Sequence, residues 1–255
     1  MVLSMDRWKN TVAVITGASA GIGSAIVLKL LEEGVIVAGL ARRKDMVQKL
    51  SSNKNLHAIQ CDVTKEDDIL NAFEWIYENL GPIHILVNSA GIVRLTNLIE
   101  GSTALWREVF DTGVMGLCIA TREAVRNMRK NNVDGHIVHM NGISGHKIFP
   151  LPNASVLPAS KHSITALTET LRQELNSIGS KIKISSISPG VTKTDIISTG
   201  YMASGQDAPQ GLVNWIKGAP SLESYDVADA VIYALSTPPH VQIHEIIIKP
   251  VGEIV

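Results

Sequence analysis

The stretch VAVITGASAGIGSAIVLKLLEEG, residues 12–34, decides the fold. It begins with an apolar run rich in β-branched residues, the pattern of a strand buried on both faces. A turn carrying Gly17, Gly21 and Gly23 comes next, followed by an amphipathic segment closed by Gly34. Glycines let a backbone approach a pyrophosphate, and the helix N-terminus beyond them offers unpaired N–H groups and a positive dipole end. Strand, glycine turn and helix in this order predict a dinucleotide-binding unit in which Gly17, Ser19, Gly21, Ile22 and Gly23 meet the phosphates. A glycine loop alone is a weak signal, and its place between the first strand and the first helix gives it weight.

The rest of the chain repeats the alternation. Further apolar runs lie at 35–41, 57–61, 84–90, 136–140, 183–189 and 244–250, and segments with helical spacing at 21–33, 66–79, 103–130, 157–177 and 225–236. Continuous apolar strands alternating with helices predict an α/β fold: one doubly wound, Rossmann-like domain with a parallel sheet of about seven strands and helices on both faces. No repeat, low-complexity tract or linker divides the chain. One long irregular segment, 192–224, follows the sixth strand. Such an insertion at the carboxyl edge of a parallel sheet is expected to cover the ligand crevice, with a disordered surface loop as the alternative.

Composition excludes several partners. The chain has 255 residues, 45% hydrophobic and 18% charged, with a formal net charge of −1, so no large field points to nucleic acid. Charges at Asp6, Arg7 and Lys9 interrupt any secretory leader, and no stretch approaches the ~18 apolar residues of a membrane span. A cytoplasmic protein is expected. Cys61 and Cys118 are too few for a disulfide framework or a metal cluster and are expected to be buried thiols. The glycosylation acceptor pattern at Asn153 matters only in the secretory pathway.

The second strand ends in GLARRKD, where Ala41 precedes Arg42, Arg43 and Lys44. A site for NAD(H) would place an acid at this tip to bind the ribose 2′-hydroxyl, whereas arginine suits a 2′-phosphate through its planar fork. NADP(H) is therefore favoured over NAD(H), with Arg42 the best-placed ligand. A solvated basic turn is the alternative reading.

TGASAGIG at 16–23, CDVT at 61–64, NSAG at 88–91 and SPGVTKT at 188–194 make the chain resemble the classical short-chain dehydrogenases/reductases over nearly its full length. ALTETLRQEL and the C-terminal DVADAVIYALSTPPHVQIHEIIIKP are most similar to the branch that includes farnesol dehydrogenases and a cytosolic ketosteroid reductase. The resemblance implies NADP-dependent alcohol/carbonyl chemistry. It places Asp62 and Val63 at the adenine, and Asn88, Ala90 and Gly91 along the adenosine. Lys161 would reach the nicotinamide ribose, with Pro189, Gly190, Val191 and Thr194 at the carboxamide end. Ser89 stands where the family has a second Asn. The family's pairing through the helices at 103–130 and 157–177 implies a homodimer or homotetramer.

The catalytic set departs from the pattern. The family uses Tyr-x-x-x-Lys, in which Tyr exchanges the alcohol proton, yet four residues before Lys161 stands Leu157. Gly142 occupies the position of the catalytic Ser and Gly113 that of the catalytic Asn. No shift of register restores the Tyr, because the tyrosines are Tyr77, Tyr201, Tyr225 and Tyr233. General acid catalysis is typically worth ~10²- to 10⁴-fold, so leucine leaves at best a slow reductase. The two glycines and the leucine predict a wider, drier crevice lined by Gly142, Ser144, His146, Leu157 and Tyr201.

Ser144, Ser155, His146 and Tyr201 are candidate substitute acids, of which only His titrates near neutrality. His136 and His139 point to opposite faces of a strand and cannot share a metal ion. The stripe Ile164, Leu167, Leu171 and Leu175 reads as core or subunit interface. Three readings follow. The first is a silent NADP(H) binder holding a small apolar ligand such as an isoprenoid, steroid or pigment. The second is a working NADP-dependent oxidoreductase with a substitute acid. The third is a scaffold that acts through protein contacts alone.

Overall fold

All seven apolar runs form strands: β1 (Val12–Thr16), β2 (Ile36–Ala41), β3 (Leu56–Gln60), β4 (Ile83–Asn88), β5 (His136–Met140), β6 (Lys183–Pro189) and β7 (Glu245–Ile248). The computed structural model describes residues 3–148, 153–205, 207, 209–211, 214 and 218–253. The strands build one sheet in the order β3-β2-β1-β4-β5-β6-β7, parallel throughout. Strand order reverses between β1 and β4, so the carboxyl ends of these two strands open the crevice where such sheets bind ligands.

The described helices include α1 (Gly21–Glu32), α2 (Lys44–Gln48), α3 (Glu66–Leu80), α4 (Thr103–Phe110), α5 (Gly116–Lys130), α6 (Leu157–Ser177), α7 (Ile196–Ala203) and α8 (Ser224–Ser236). The expected helix at 103–130 is interrupted by a π-helical turn at Asp111–Met115. The segment 192–224, expected to be irregular, contains α7 and a β-bridge between Thr192 and Leu222. Its residues 206, 208, 212–213 and 215–217 lie outside the described residues.

Period-two alternation sends β1 into two cores. Ala13 and Ile15 face α1 and α8 with Ile26, Leu30, Val227 and Val231, while Val12 and Val14 face the side of α3, α5 and α6 with Ile69, Ile76, Ala124 and Leu175. The stripe residues Ile164 and Leu175 are buried, and Leu171 packs at the margin of the second core. Cys61 is buried and its thiol is pushed up to about 12, chiefly by burial. Cys118 departs from expectation, being only half-buried, because it lies beside a groove of about 320 Å³ between α5 and α6. Among the described residues no helix is long and apolar enough to cross a membrane, and no His, Cys, Asp and Glu side chains cluster as a metal site.

The two β5 histidines are fully interior and face opposite sides of the sheet. Ser185 Oγ donates to Ile243 O at 2.5 Å, which leaves it to accept from His136 Nε2–H at 2.9 Å. On the other side Thr168 Oγ1 donates to Ile164 O and therefore accepts from His139 Nδ1–H at 2.9 Å. His139 Nε2, left with its lone pair, accepts from Thr121 Oγ1 at 3.2 Å, and Thr121 in turn accepts from Asn88 Nδ2 at 2.9 Å. This assignment makes the His139 imidazole neutral, whereas His136 Nδ1 is buried without a hydrogen-bond partner.

Burial pushes His139 down to about 3, and burial with the Lys183 and Arg7 charges holds His136 well below its ordinary value. The unfolded chain takes up these protons near pH 6.5 and the folded chain does not. Stability is therefore expected to fall as pH drops from about 6.5 towards 3, by roughly 1.4 kcal/mol per pH unit for each histidine. Urea unfolding of wild type and His139→Gln at pH 7, 6, 5 and 4 checks this, with the acid-side slope of the variant shallower by one histidine.

Candidate cofactor and ligand site

The turn after β1 is built from backbone laid against backbone. Gly17, with φ 69°, is held so close to the tip of β4 that a Cβ would lie 2.8 Å from Ala90 Cα and 2.9 Å from Ser89 O. A Cβ on Gly23 would overlap Gly17 O. Thr16 Oγ1 accepts the N–H groups of Ser89 and Ala90, each at 3.1 Å, which ends β4 at Asn88, two residues before the apolar run does. Ser89 takes part in this junction through its backbone N–H. The α1 N-cap is Ala20, whose side chain makes no capping bond, and the first turn of α1 holds no acid. The leading N–H groups, at Gly21, Ile22 and Gly23, are the donors that an anion would find.

At the tip of β2, Arg42 and Arg43 are both exposed. Arg43 Nη2 reaches Ser19 Oγ at 3.4 Å, whereas Arg42 makes no hydrogen bond or ion pair among the described residues. The arginine drawn to the glycine turn is thus the neighbour of the one favoured by sequence. The Asp62 carboxylate is occupied within its own turn, accepting from Thr64 N at 3.1 Å and Thr64 Oγ1 at 2.8 Å. Val63 is buried against Gly116 at the start of α5. Asn88 is buried with Oδ1 unpartnered, Gly91 is exposed, and Thr194 packs its methyl on Gly21. The motif after β6 is thereby joined to the first glycine turn.

The Pro189–Gly190–Val191 backbone is engaged on both sides. Gly190 N donates to Ile248 O at 2.8 Å, Val191 N donates to Glu253 Oε2 at 3.0 Å, and Val191 O accepts from Leu222 N at 2.8 Å. Val191 is left with its side chain for any ligand contact.

Lys161 projects from the first turns of α6, where Nζ donates to Met140 O at 3.0 Å. Burial pushes its pKa down to about 8, and no carboxylate pairs with it among the described residues. Leu157 packs against Val93, Leu95, Ile197 and Tyr201, an apolar cluster that joins α6 to the loop after β4 and to α7. Tyr201 is 3% exposed and lies on α7, not on a loop. Gly142 is buried with an extended backbone, and a Cβ there would meet only Ser144 Oγ at 3.7 Å and Pro189 O at 3.8 Å. Gly113 lies in the π-helical turn, with nothing within 4 Å of where a Cβ would be.

The candidate acids are not brought together. His146 Nε2 lies 2.7 Å from Glu245 Oε1 and 3.2 Å from Ser188 Oγ, which ties it to β6 and β7. Ser144 Oγ is the hydroxyl nearest to a Cβ at Gly142. Ser155 adopts φ 44° and its Oγ is buried without a partner.

These positions match a known architecture in sequence as well as in shape. The sequence profile described as short chain dehydrogenase matches residues 11–201. The chain belongs to the short-chain dehydrogenase/reductase family. Among its relatives, the farnesol dehydrogenase of Aedes aegypti is 48% identical over 256 residues, covering 98% of this chain and 99% of that protein. Dehydrogenase/reductase SDR family member 11 of Homo sapiens is 38% identical over 258 residues, covering 98% of each. The closed form of a serine dehydrogenase complexed with NADP+ superposes with a TM-score of 0.83 at 26% identity, over 93% of this chain and 94% of that one. A short-chain dehydrogenase/reductase from Burkholderia phymatum in complex with NAD shares the fold, with a TM-score of 0.82 at 24% identity over 94% and 89%. Solved members of the family thus carry either dinucleotide.

Sequence reasoning missed four features of this short-chain dehydrogenase/reductase site. Thr16, Thr121 and Glu245 are ordinary polar residues with no motif to mark them, and Asn141 is hidden inside a strand end. Asn141 Nδ2 donates to Thr165 Oγ1 at 2.9 Å, one residue before the vacated Ser position. The glycines themselves separate into two kinds. Gly23→Ala forces a Cβ into backbone and is expected to cost about 1–3 kcal/mol or prevent folding. Gly113→Ala meets open space in a helical run and is expected to gain up to about 1 kcal/mol. Thermal unfolding of the two variants beside wild type measures this difference, whose sign is opposite at the two sites.

Proposed function

We propose that the chain is an NADP(H)-binding member of its family in which alcohol/carbonyl interconversion has been silenced. In this reading the crevice beside the nicotinamide position takes a small apolar ligand, such as an isoprenoid, a steroid or a pigment, for carriage or sensing. The observation that carries it is Leu157: a hydrocarbon side chain, seated among Val93, Leu95, Ile197 and Tyr201, where the family's chemistry needs a group that exchanges a proton. NADP(H), when bound, supplies a hydride donor or acceptor. The residues that would hold it are Gly17, Ser19, Gly21, Ile22 and Gly23 at the phosphates, Arg42 and Arg43 at the 2′-phosphate, and Asp62 and Val63 at the adenine. Asn88, Ala90 and Gly91 would line the adenosine, Lys161 the ribose, and Pro189, Gly190, Val191 and Thr194 the carboxamide end. The uncapped N-terminus of α1 and the Arg43 contact with Ser19 fit an anionic group.

The ligand pocket of this reading comprises Gly142, Ser144, His146, Leu157 and Tyr201, with His146 at its margin because of its bond to Glu245. The chain acts as one cytoplasmic domain whose segment 192–224 covers the crevice, and it assembles as a homodimer or homotetramer. Its relative named as a farnesol dehydrogenase favours an isoprenoid skeleton.

A second reading rests on Tyr201. Its ring packs in the same cluster as Leu157, and its hydroxyl makes no hydrogen bond among the described residues, so α7 brings a phenol to the wall that α6 has vacated. That reading makes the chain a working oxidoreductase with Tyr201 as its acid.

Thermal shift with NADPH and turnover on isoprenoid, retinoid and steroid carbonyls decide between them. NADPH is expected to raise the melting temperature, a ligand at 100 times its Kd stabilising by ~2.7 kcal/mol. Wild type is expected to turn over at least ~10²-fold more slowly than the restored variant Gly113→Asn/Gly142→Ser/Leu157→Tyr. Wild-type rates equal to those of the restored variant, abolished by Tyr201→Phe, would overturn silence in favour of the second reading.

A further inference from the structure

The carboxyl-terminal tail ends its described course on the loop after β6. Gly252, with φ 86°, turns the chain back, and Glu253 N donates to Pro250 O at 3.2 Å. The Glu253 side chain is 4% exposed. Its Oε2 accepts from Val191 N–H at 3.0 Å, and its Oε1 lies 3.3 Å from Lys249 Nζ. A carboxylate is costly to bury unless its oxygens are matched: here Oε2 takes a backbone donor, whereas Oε1 is buried without a hydrogen bond and has only the Lys249 ammonium nearby. The same carboxylate fills the space over Gly190, where any Cβ would overlap it. Gly190 does not have a positive φ, so its backbone would accept alanine. Glycine is required there by Glu253 and not by the turn.

We propose that Glu253 is a positioning residue. It straps the Pro189–Thr194 loop through the Val191 N–H, as Leu222 does through the Val191 carbonyl, and so sets the nicotinamide end of the cofactor site. The proposal rests on the cofactor reading above for its ligand, and on geometry alone for the strap. Val191 has its N–H on Glu253 and its carbonyl on Leu222, and three residues later Thr194 touches Gly21 of the phosphate turn. Releasing Glu253 frees one side of this segment. The adenosine half of the crevice, formed by β2, β3 and β4, has no contact with the tail among the bonds described, so the effect is confined to one end of the dinucleotide.

Two measurements test this in the full-length protein. The first needs no ligand: hydrogen exchange of the Val191 amide by NMR in wild type, Glu253→Ala and Glu253→Gln. Loss of a charge-assisted bond is expected to speed exchange about tenfold or more in Glu253→Ala. Glutamine keeps an acceptor oxygen and is expected to restore most of the protection. Equal exchange in all three proteins overturns the strap.

The second measurement compares the Kd for NADPH with that for 2′,5′-ADP, which lacks the nicotinamide half. Glu253→Ala is expected to weaken NADPH about tenfold and to leave 2′,5′-ADP within about twofold. Gly190→Ala, which evicts the carboxylate sterically, is expected to reproduce this pattern. Because both changes break one contact, the double variant should be no weaker than either single one. Parallel loss of both ligands, or additive effects in the double variant, overturns the positioning role. Wild type that binds neither ligand overturns the cofactor reading itself, and the exchange result still decides the strap.

Discussion

The carboxyl edge of this sheet depends on the close approach of three backbone segments with no side chain between them. Gly17 lies on Ser89 O and Ala90, Gly23 lies on Gly17 O, and Thr16 Oγ1 accepts the two N–H groups that β4 leaves behind as it turns away. Buried backbone donors without partners cost about as much as a lost hydrogen bond, so the Thr16 hydroxyl lets β4 end where it does. The N-terminus of α1, the tip of β4 and, through Thr194 on Gly21, the loop after β6 are thereby fixed relative to one another. A site assembled from three chain segments is held without any interaction between functional side chains.

That separation leaves residues 113, 142 and 157 free to vary without disturbing the glycine turn. Gly23 and Gly116 are glycines because backbone lies where a Cβ would go. Gly113 and Gly142 carry no such demand: the space beside Gly113 is open, and the neighbours of Gly142 stand at ordinary contact distance. Steric packing therefore does not require glycine at either position, although the Gly142 backbone, with φ 158°, favours it. Leu157 is a different case, because Val93, Leu95, Ile197 and Tyr201 surround it with apolar surface and give it a place in a cohesive cluster. Two of these positions are glycines with no backbone in the place of a Cβ, whereas the third is a leucine seated in an apolar wall.

The strands of the sheet could be read from apolar period because a parallel sheet covered on both faces leaves strands as unbroken apolar runs, and β5, β6 and α6 begin and end where the pattern does. The misses have local causes. The five residues of α2 are too few to show a helical period. The π turn at Asp111–Met115 leaves the pattern of buried residues largely intact, so only coordinates reveal it. The end of β4 is set by Thr16, a residue distant in sequence, and the apolar run overshoots it. The glycine turn was legible as a motif, but the choice of Arg43 over Arg42 as the neighbour of Ser19 depends on how the chain leaves β2. His146 looked available in sequence and is committed to Glu245, a partner 99 residues away. Long-range polar pairs of this kind carry no periodic signature.

Two lysines in this fold have their pKa pushed down to about 8 by burial, and their surroundings separate their roles. Lys183 Nζ faces Thr237 Oγ1 at 2.9 Å and the carbonyls of Val241, Pro238 and Thr237 at 2.8, 3.3 and 3.4 Å. Four acceptor oxygens converge on this one nitrogen, more than the two hydrogens of a neutral amine could serve, and they lie just past the C-terminal end of α8, where positive charge is favoured. Lys183 is thus fully employed by the fold. Lys161 has one protein acceptor, Met140 O, and no anionic partner among the described residues. A partly desolvated ammonium with donors to spare is an unfavourable arrangement for a residue kept only for stability. The oxygen atoms of a bound sugar would complete its shell, and on this argument Lys161 retains its value to the molecule without the tyrosine that normally stands beside it.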